Sequence, residues 1–301
     1  MKNKATVIYV VSDRRSGSTL LENILSKSSQ VTSVGELNTL KGHILKQGPG
    51  ERWNWNCACG QPVLKCSFWS PVLKDTYQTN PSSFNTNIEW NYKSKKLWLT
   101  SFLPFVFKSK LLTVINNRKN KSVAATLNNI YTKIFEQTGS PFIVDSSKDP
   151  LQALVIYRSV RNYDVKIIWL KRDLRAIAVS KSKWKELNAK KQKTLKRLLM
   201  DVFYYRRICF AASLFFKKED LLQMNYEDLA QRTQQQLDLI TAKFGMVKYT
   251  APEYMFVEED HTIGGTPNRF TKRQITYEDG WKQTYSKKKM LYIAGNVLNK
   301  F

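Results

Sequence analysis

Histidine and cysteine are scarce in this 301-residue chain, with two of the one and four of the other, and 24 acidic residues face 49 lysines and arginines. Four cysteines in so long a chain exclude a disulfide-built scaffold. A globular chain of this length buries about three quarters of its unfolded surface and needs no covalent staple. With His43 and His261 so far apart, the sequence assembles neither a His-based metal triad nor a Ser-His-Asp set. No run reaches the roughly 18 apolar residues that a membrane-spanning helix requires. The nearest approach, Leu97–Leu112, is broken by Pro104 and two lysines. Met1–Thr6 runs straight into the apolar VIYVV without a signal-peptide core or cleavage site, so the expectation is a protein that starts at Met1, soluble and cytoplasmic.

What is present is a globular composition, 42% hydrophobic and 12% aromatic, which excludes a disordered or collagen-like chain. The formal charge of +25 points to an anionic partner: nucleic acid, a membrane surface or an acidic small molecule. It carries no information about the fold.

The order of elements does. Val7–Val11 is a short β-branched run, followed by small residues and then by Leu20, Leu21, Ile24 and Leu25 at helical spacing. A second strand is expected at Val31–Val34, a third at Phe142–Val144 followed by the turn DSSKDP, a fourth at Val165–Leu170 and a fifth at Leu221–Met224. Helices are expected from about Leu151 to Tyr163, from near Leu174, from Thr194 to Phe216, from near Glu227 and from about Ser286, with a long loop over Pro252–Gly280. Alternating strands and helices with continuously apolar strands predict a single α/β domain, a three-layer fold with a central parallel sheet flanked by helices. Residues from about 47 to 135 hold clustered tryptophans (Trp53, Trp55, Trp69, Trp90, Trp98) and three cysteines with little periodicity, and read as a less regular insertion or lid with some helices.

In an open parallel sheet, ligands bind beyond the carboxyl ends of the strands. Arg15–Thr19, Glu36, Asp145–Lys148 and Arg172 all sit there. In SDRRSGSTLL, Gly17 permits close backbone approach, and the first helical turn with the hydroxyls of Ser16, Ser18 and Thr19 suits an anion, to which Arg15 adds a positive charge. An ordinary strand-to-helix turn with a serine cap is the alternative. A nucleoside-triphosphate loop is not indicated: the segment has one Gly and lacks the lysine that reaches the outer phosphates. After the fourth strand, Arg172 and, eight residues on, Ser180 form a second candidate anion contact.

RSGSTLL and RDLRAIAVS together resemble the two nucleotide-binding motifs of the sulfotransferases that use 3′-phosphoadenosine 5′-phosphosulfate (PAPS), most closely the carbohydrate and tyrosylprotein branch and its bacterial relatives, where an Arg stands for the Lys of the cytosolic enzymes. VGELNTL, VDSSKDP, NYEDL and HTIGGTPNRF extend the resemblance over most of the chain except roughly 70 to 135. The resemblance implies a P-loop-like fold in which Arg15, Ser16, Gly17, Ser18 and Thr19 hold the 5′-phosphosulfate, and Arg172 and Ser180 hold the 3′-phosphate. It implies that Tyr226 lines the nucleotide pocket, that Gly264 and Gly265 belong to a loop closing over the nucleotide, and that Arg269 adds to the 3′-phosphate contact. Where the tyrosylprotein enzymes carry a further Arg, this chain has Trp184, and that contact is not carried over.

Sulfuryl transfer is an in-line displacement that needs a positioned acceptor, a proton acceptor and neutralised charge. Glu36 in GELN is the expected general base, with His261 as its rival; Lys148 is expected to stabilise the bridging oxygen and Arg15 the transferred group. Asp145 is a candidate to orient Lys148 or Arg15, and Ser146 and Ser147 to donate to the sulfuryl oxygens. No metal is expected. Cys57, Cys59 and Cys66 in CACGQPVLKC have only His43 as an evident fourth ligand, so a local disulfide or a packed thiol cluster is favoured over zinc. Cys209 reads as core. The expected acceptor bears a hydroxyl, with an anionic glycan or lipid suited to the charge; Lys93–Lys121 offers peripheral membrane contact, and the sequence leaves the oligomeric state open. A P-loop nucleotide kinase and a basic nucleic-acid-binding protein are the competing functions.

Overall fold

The computed structural model describes residues 5–45, 55–88, 112–160, 162–187, 193–255, 261–265 and 272–300, with side chains omitted for 184–187. Five parallel strands form the central sheet: β1 (Thr6–Ser12), β2 (Val31–Gly35), β3 (Phe142–Lys148), β4 (Asp164–Lys171) and β5 (Leu221–Asn225), in the spatial order β2-β3-β1-β4-β5. Every residue of β1 is buried, as expected of a strand covered on both faces.

The side chains of β1 divide between two layers. Val7, Tyr9 and Val11 face a core shared with α4 (Arg118–Thr138), α5 (Pro150–Ser159) and α7 (Leu195–Ser213). Ile8 and Val10 face the opposite core, shared with α1 (Ser18–Leu25), α8 (Tyr226–Gln231) and α9 (Thr233–Phe244). The three-layer parallel arrangement anticipated from the sequence is therefore the observed one. The short helices α2 (Leu40–Leu45) and α3 (Trp69–Leu73) precede α4, α6 (Leu174–Leu187) follows β4, and α10 (Lys289–Asn299) ends the described chain.

Two elements depart from their expected bounds. Within the stretch read as a less regular insertion, Arg118–Thr138 is the longest helix among the described residues. Asn117 caps it by accepting from the Lys119 N–H, Gly139 ends it in the left-handed region, and Val123, Leu127, Ile130 and Ile134 place one stripe in the core. Lys, Asn and Thr fill its other faces and dilute the apolar signal.

The second is β3, which continues through the polar DSSK rather than stopping at Val144. Its register on β1 shifts between the Tyr9–Asp145 and Val11–Lys148 pairs, so one extra residue is accommodated on β3, and Lys148 adopts φ 71°. The shift turns the end of β3 toward the top of the sheet. Asp149 then accepts from the Leu151 and Gln152 N–H groups and Pro150 opens α5, a complete helix start.

The stretch expected to be a long loop holds the antiparallel pair β6 (Tyr254–Met255) and β7 (Arg273–Gln274). It also sends residues 261–265 alongside β2, with a parallel bridge between Gly35 and Ile263. Among the described residues no helix is long and apolar enough to cross a membrane.

Candidate functional site

All five strands of the sheet end on a residue of interest. The loop 13–17 follows β1, Glu36 follows β2, Lys148 ends β3, Arg172 follows β4 and Tyr226 follows β5. This is where an open parallel sheet binds its ligand.

The loop after β1 is built for close approach. Arg15 and Gly17 both have positive φ, 76° and 90°. A Cβ on Gly17 would lie 2.2 Å from the Tyr226 ring, so that ring packs where only glycine fits. No side chain caps α1, which leaves its first-turn N–H groups to another acceptor. The Ser16 hydroxyl is buried with no hydrogen-bond partner among the described residues, an atom that suits an anion's oxygen. Ser18 is buried and Thr19 half-buried at the same helix start.

The two motifs read from the sequence meet here. Arg15 Nε donates to Ser180 Oγ at 2.9 Å, and Arg172 Nη1 donates to the Arg15 carbonyl at 3.1 Å. The Arg172 guanidinium lies 4.1 Å from the centre of the Tyr226 ring, a cation–π contact that fixes its direction. Arg206 Nη2 donates to the Arg172 carbonyl from α7. Burial, then the neighbouring charges of Arg172 and Arg273, push the Arg15 pKa down. Arg15, Arg172 and Arg273 thus crowd like charges beyond the ends of β1 and β4, an arrangement that suits an anion. Arg15 sits against Ser180, so its head group lies on the side expected for the 3′-phosphate as well as in the loop expected for the 5′ end.

Beside this site lies an ion pair. Lys148 Nζ donates to Glu36 Oε1 at 2.5 Å and to the Ser146 carbonyl at 3.2 Å. The Gly265 N–H also donates to Glu36 Oε1, at 3.1 Å, and the Glu36 N–H donates to the Ile263 carbonyl at 2.7 Å. Among the described residues both donors to the carboxylate, Lys148 Nζ and the Gly265 N–H, fall on Oε1, and Oε2 has room to accept a proton. Burial alone raises the Glu36 pKa; Lys148, helped by Arg14 and the Gly265 N–H, outweighs it and holds the carboxyl below the usual carboxylate range.

Other expected contacts fall elsewhere. Asp145 Oδ1 accepts from the Ser147 N–H and Oγ, at 2.8 and 2.5 Å, and Oδ2 from Tyr131 Oη at 2.6 Å, rather than from Lys148 or Arg15. Burial pushes the Asp145 pKa up to about 6. Ser146 donates to Glu22, and Ser147 Oγ accepts the Asn38 N–H, so both hydroxyls stiffen the strand end instead of facing a sulfuryl group. His261, the rival base, stacks on Phe68 and directs Nδ1 toward Cys66 Sγ at 3.2 Å. The three cysteines of CACGQPVLKC are free thiols rather than a disulfide, and His43 bonds the Trp55 carbonyl, so the histidine that joins them is His261. Cys209 is buried in the core as read. Arg269, Trp53, Trp90, Trp98, the Trp184 side chain and residues 93–111 of the basic stretch lie outside the described residues.

Four site residues escaped the sequence reading. Arg14 adds positive potential at Glu36, and Arg273 does so at Arg15. Lys181 pairs with Asp13 at 2.6 Å and secures the loop from α6, while Arg206 holds the Arg172 carbonyl. Adjacency to Arg15 and Ser180 was a usable signal for Arg14 and Lys181; nothing local marked Arg206 or Arg273.

No protein-family model matches the chain, and no curated protein does. Among solved structures, the chain is similar to the sulfotransferase domain of the Synechococcus PCC 7002 olefin synthase, with TM-score 0.58 and 19% identity over 94% of this chain and 89% of that one. It is also similar to the sulfotransferase domain from the curacin biosynthetic pathway, with TM-score 0.54 and 16% identity over 93% and 90% of the two chains. The five-stranded sheet flanked by helices is thus the fold of the sulfotransferase domains.

Proposed function

We propose that this protein is a sulfotransferase that uses PAPS and delivers the sulfuryl group to a hydroxyl of its acceptor. The observation that carries this reading is the convergence of Arg15, Arg172 and Ser180 beyond the ends of β1 and β4, with the Glu36–Lys148 pair at the end of neighbouring β3. The residues fit the donor: a loop that only Gly17 can close, a free helix start and clustered arginines match a ligand with phosphates at two positions. Ser16–Thr19 would hold its 5′ end, and Arg172, Ser180 and the Arg15 head group its 3′-phosphate. The donor, when bound, supplies an activated sulfuryl group and leaves as a bisphosphate.

Glu36 Oε2 takes the proton of the acceptor hydroxyl. A depressed pKa keeps that carboxylate ionised, and the hydroxyl becomes acidic only as its oxygen bonds to sulfur, so a weak base serves. Lys148 is a compact charge placed to neutralise what develops on the departing oxygen. The acceptor is a hydroxyl-bearing molecule, and the +25 charge favours an anionic glycan or lipid. The protein acts in the cytoplasm under this reading, with or without peripheral membrane contact.

Two measurements test it. Adenosine 3′,5′-bisphosphate raises the melting temperature more than ATP or AMP at equal concentration; at 100 times Kd the stabilisation is about 2.7 kcal/mol. Equal shifts from all three nucleotides would reject a pocket that recognises the 3′-phosphate. The profile of kcat/KM, measured with labelled donor, shows no acid limb from Glu36 between about pH 5 and 8, because its folded pKa lies below the usual carboxylate range. An acid limb centred near pH 6 that vanished in Glu36→Gln would contradict that assignment.

A further inference from the structure

The cysteines of CACGQPVLKC and a histidine some 200 positions later converge to a single point. Ligand atoms of Cys57, Cys59, Cys66 and His261 all lie within 4.8 Å of one another. Cys66 Sγ stands 3.5 Å from Cys57 Sγ, 3.6 Å from Cys59 Sγ and 3.2 Å from His261 Nδ1, and Cys57 Sγ stands 3.7 Å from the same nitrogen. Zinc held tetrahedrally at about 2.3 Å from sulfur and 2.0–2.1 Å from nitrogen sets its ligand atoms about 3.6–3.8 Å apart. Four of the six separations therefore already lie near the edges of such a tetrahedron and the other two are within 4.8 Å, whereas ordinary packing gives no reason for three thiols to crowd one imidazole.

The surrounding chain is shaped to present them. Gly60, at φ 87°, closes a tight turn in which its N–H donates to the Cys57 carbonyl and the Cys57 N–H donates to that of Gln61. His261 is held by Phe68 stacked on its ring and by Trp69 Nε1, which donates to its carbonyl at 2.6 Å. The Ala58 N–H donates to the Thr262 carbonyl, so the two segments run together beyond the ligands.

We propose that Cys57, Cys59, Cys66 and His261 bind one zinc ion as a closed structural site. Three thiolates and one imidazole are the donor set zinc favours, and with four protein ligands no position is left open for catalysis. Its role follows from what His261 begins. Residues 261–265 bridge β2 at Gly35 and bring the Gly265 N–H onto Glu36, so the metal clamps the segment that orients the carboxylate. Zinc therefore acts here by positioning, and the assignment does not depend on sulfuryl transfer.

The full chain, purified under reducing conditions from zinc-supplemented cells, contains one zinc per chain by elemental mass spectrometry. The metal is released in step with titration of the three thiols by a mercurial. Reconstitution with cobalt gives the strong visible absorption of a tetrahedral thiolate site, and Cys59→Ser, at the exposed ligand, weakens retention against a chelator by at least tenfold. Stripping the metal raises amide hydrogen exchange at Ile263 and Gly265. Zinc far below one per chain with no cobalt uptake by the reduced protein overturns the site, as does a disulfide among the three cysteines in freshly isolated material. All of these readouts concern metal and amides, so their failure is separable from a failure of catalysis.

Discussion

Glu36→Gln lowers turnover by about 10²–10⁴-fold, the usual contribution of a positioned general base, while adenosine 3′,5′-bisphosphate binds as before. Glutamine keeps the shape of the side chain and an oxygen for the Gly265 N–H, so the segment 261–265 stays in place. What is lost is the lone pair on Oε2 that receives the proton, together with the charge facing Lys148. Removing one member of a buried ion pair costs about 3–5 kcal/mol when the remaining charge is fully enclosed. At 9% and 15% side-chain exposure this pair is nearly so, and the variant melts measurably lower. The sign of the pH dependence separates the two effects. A carboxylate with a depressed folded pKa contributes stability that is complete above its unfolded pKa and lost as pH falls through the folded value, so wild type and variant converge in acid. A variant that turned over at the wild-type rate would move proton abstraction to another group.

The second large effect is expected at Gly17→Ala. The new methyl group meets the Tyr226 ring at 2.2 and 2.8 Å, and the ring has little freedom to retreat because Arg172 lies across its face. The backbone at φ 90° adds a conformational cost of about 1–3 kcal/mol for any residue with a Cβ. The variant loses nucleotide binding by two orders of magnitude or more and unfolds at lower temperature. Combining it with Tyr226→Ala removes the collision but not the strained dihedral. The double variant therefore regains part of its stability in calorimetry and none of its binding. If Gly17→Ala alone bound the bisphosphate normally, the loop would not be the phosphate cradle.

The sheet was legible because its central strands β1 and β4 are short apolar runs rich in Val and Ile, covered on both faces; the edge strand β5, LLQMN and half-exposed, was marked only by its place between two helices. Arg15, Glu36, Lys148 and Arg172 were legible because each falls at or just after a strand's carboxyl end, where a parallel sheet opens; Tyr226 was legible only through the resemblance of NYEDL to the family motif. The polar end of β3 was not. Residues such as Asp145, Ser146 and Ser147 enter a strand only when buried partners satisfy them, and those partners (Tyr131, Glu22 and Asn38) come from three other elements. The same limit hid the partner of the thiols: His261 lies about 200 positions further along the chain, and no local pattern links it to them. Helix α4 was obscured differently, by lysine, asparagine and threonine diluting the stripe of Val123, Ala124, Leu127, Ile130, Tyr131 and Ile134.

The spatial order of the sheet also sets a sequence of assembly. β1 lies between β3 and β4, so it has both neighbours only after residues 142–171 have followed it in synthesis. Loop closure over more than a hundred residues precedes any reward from pairing, which makes such a sheet slow to nucleate. A nascent chain cut after β3 presents β1 with one ladder complete and the other bare, a sticky ribbon that aggregates or is degraded; β4 supplies the missing rail, and protease resistance waits for the later helices that cover both faces.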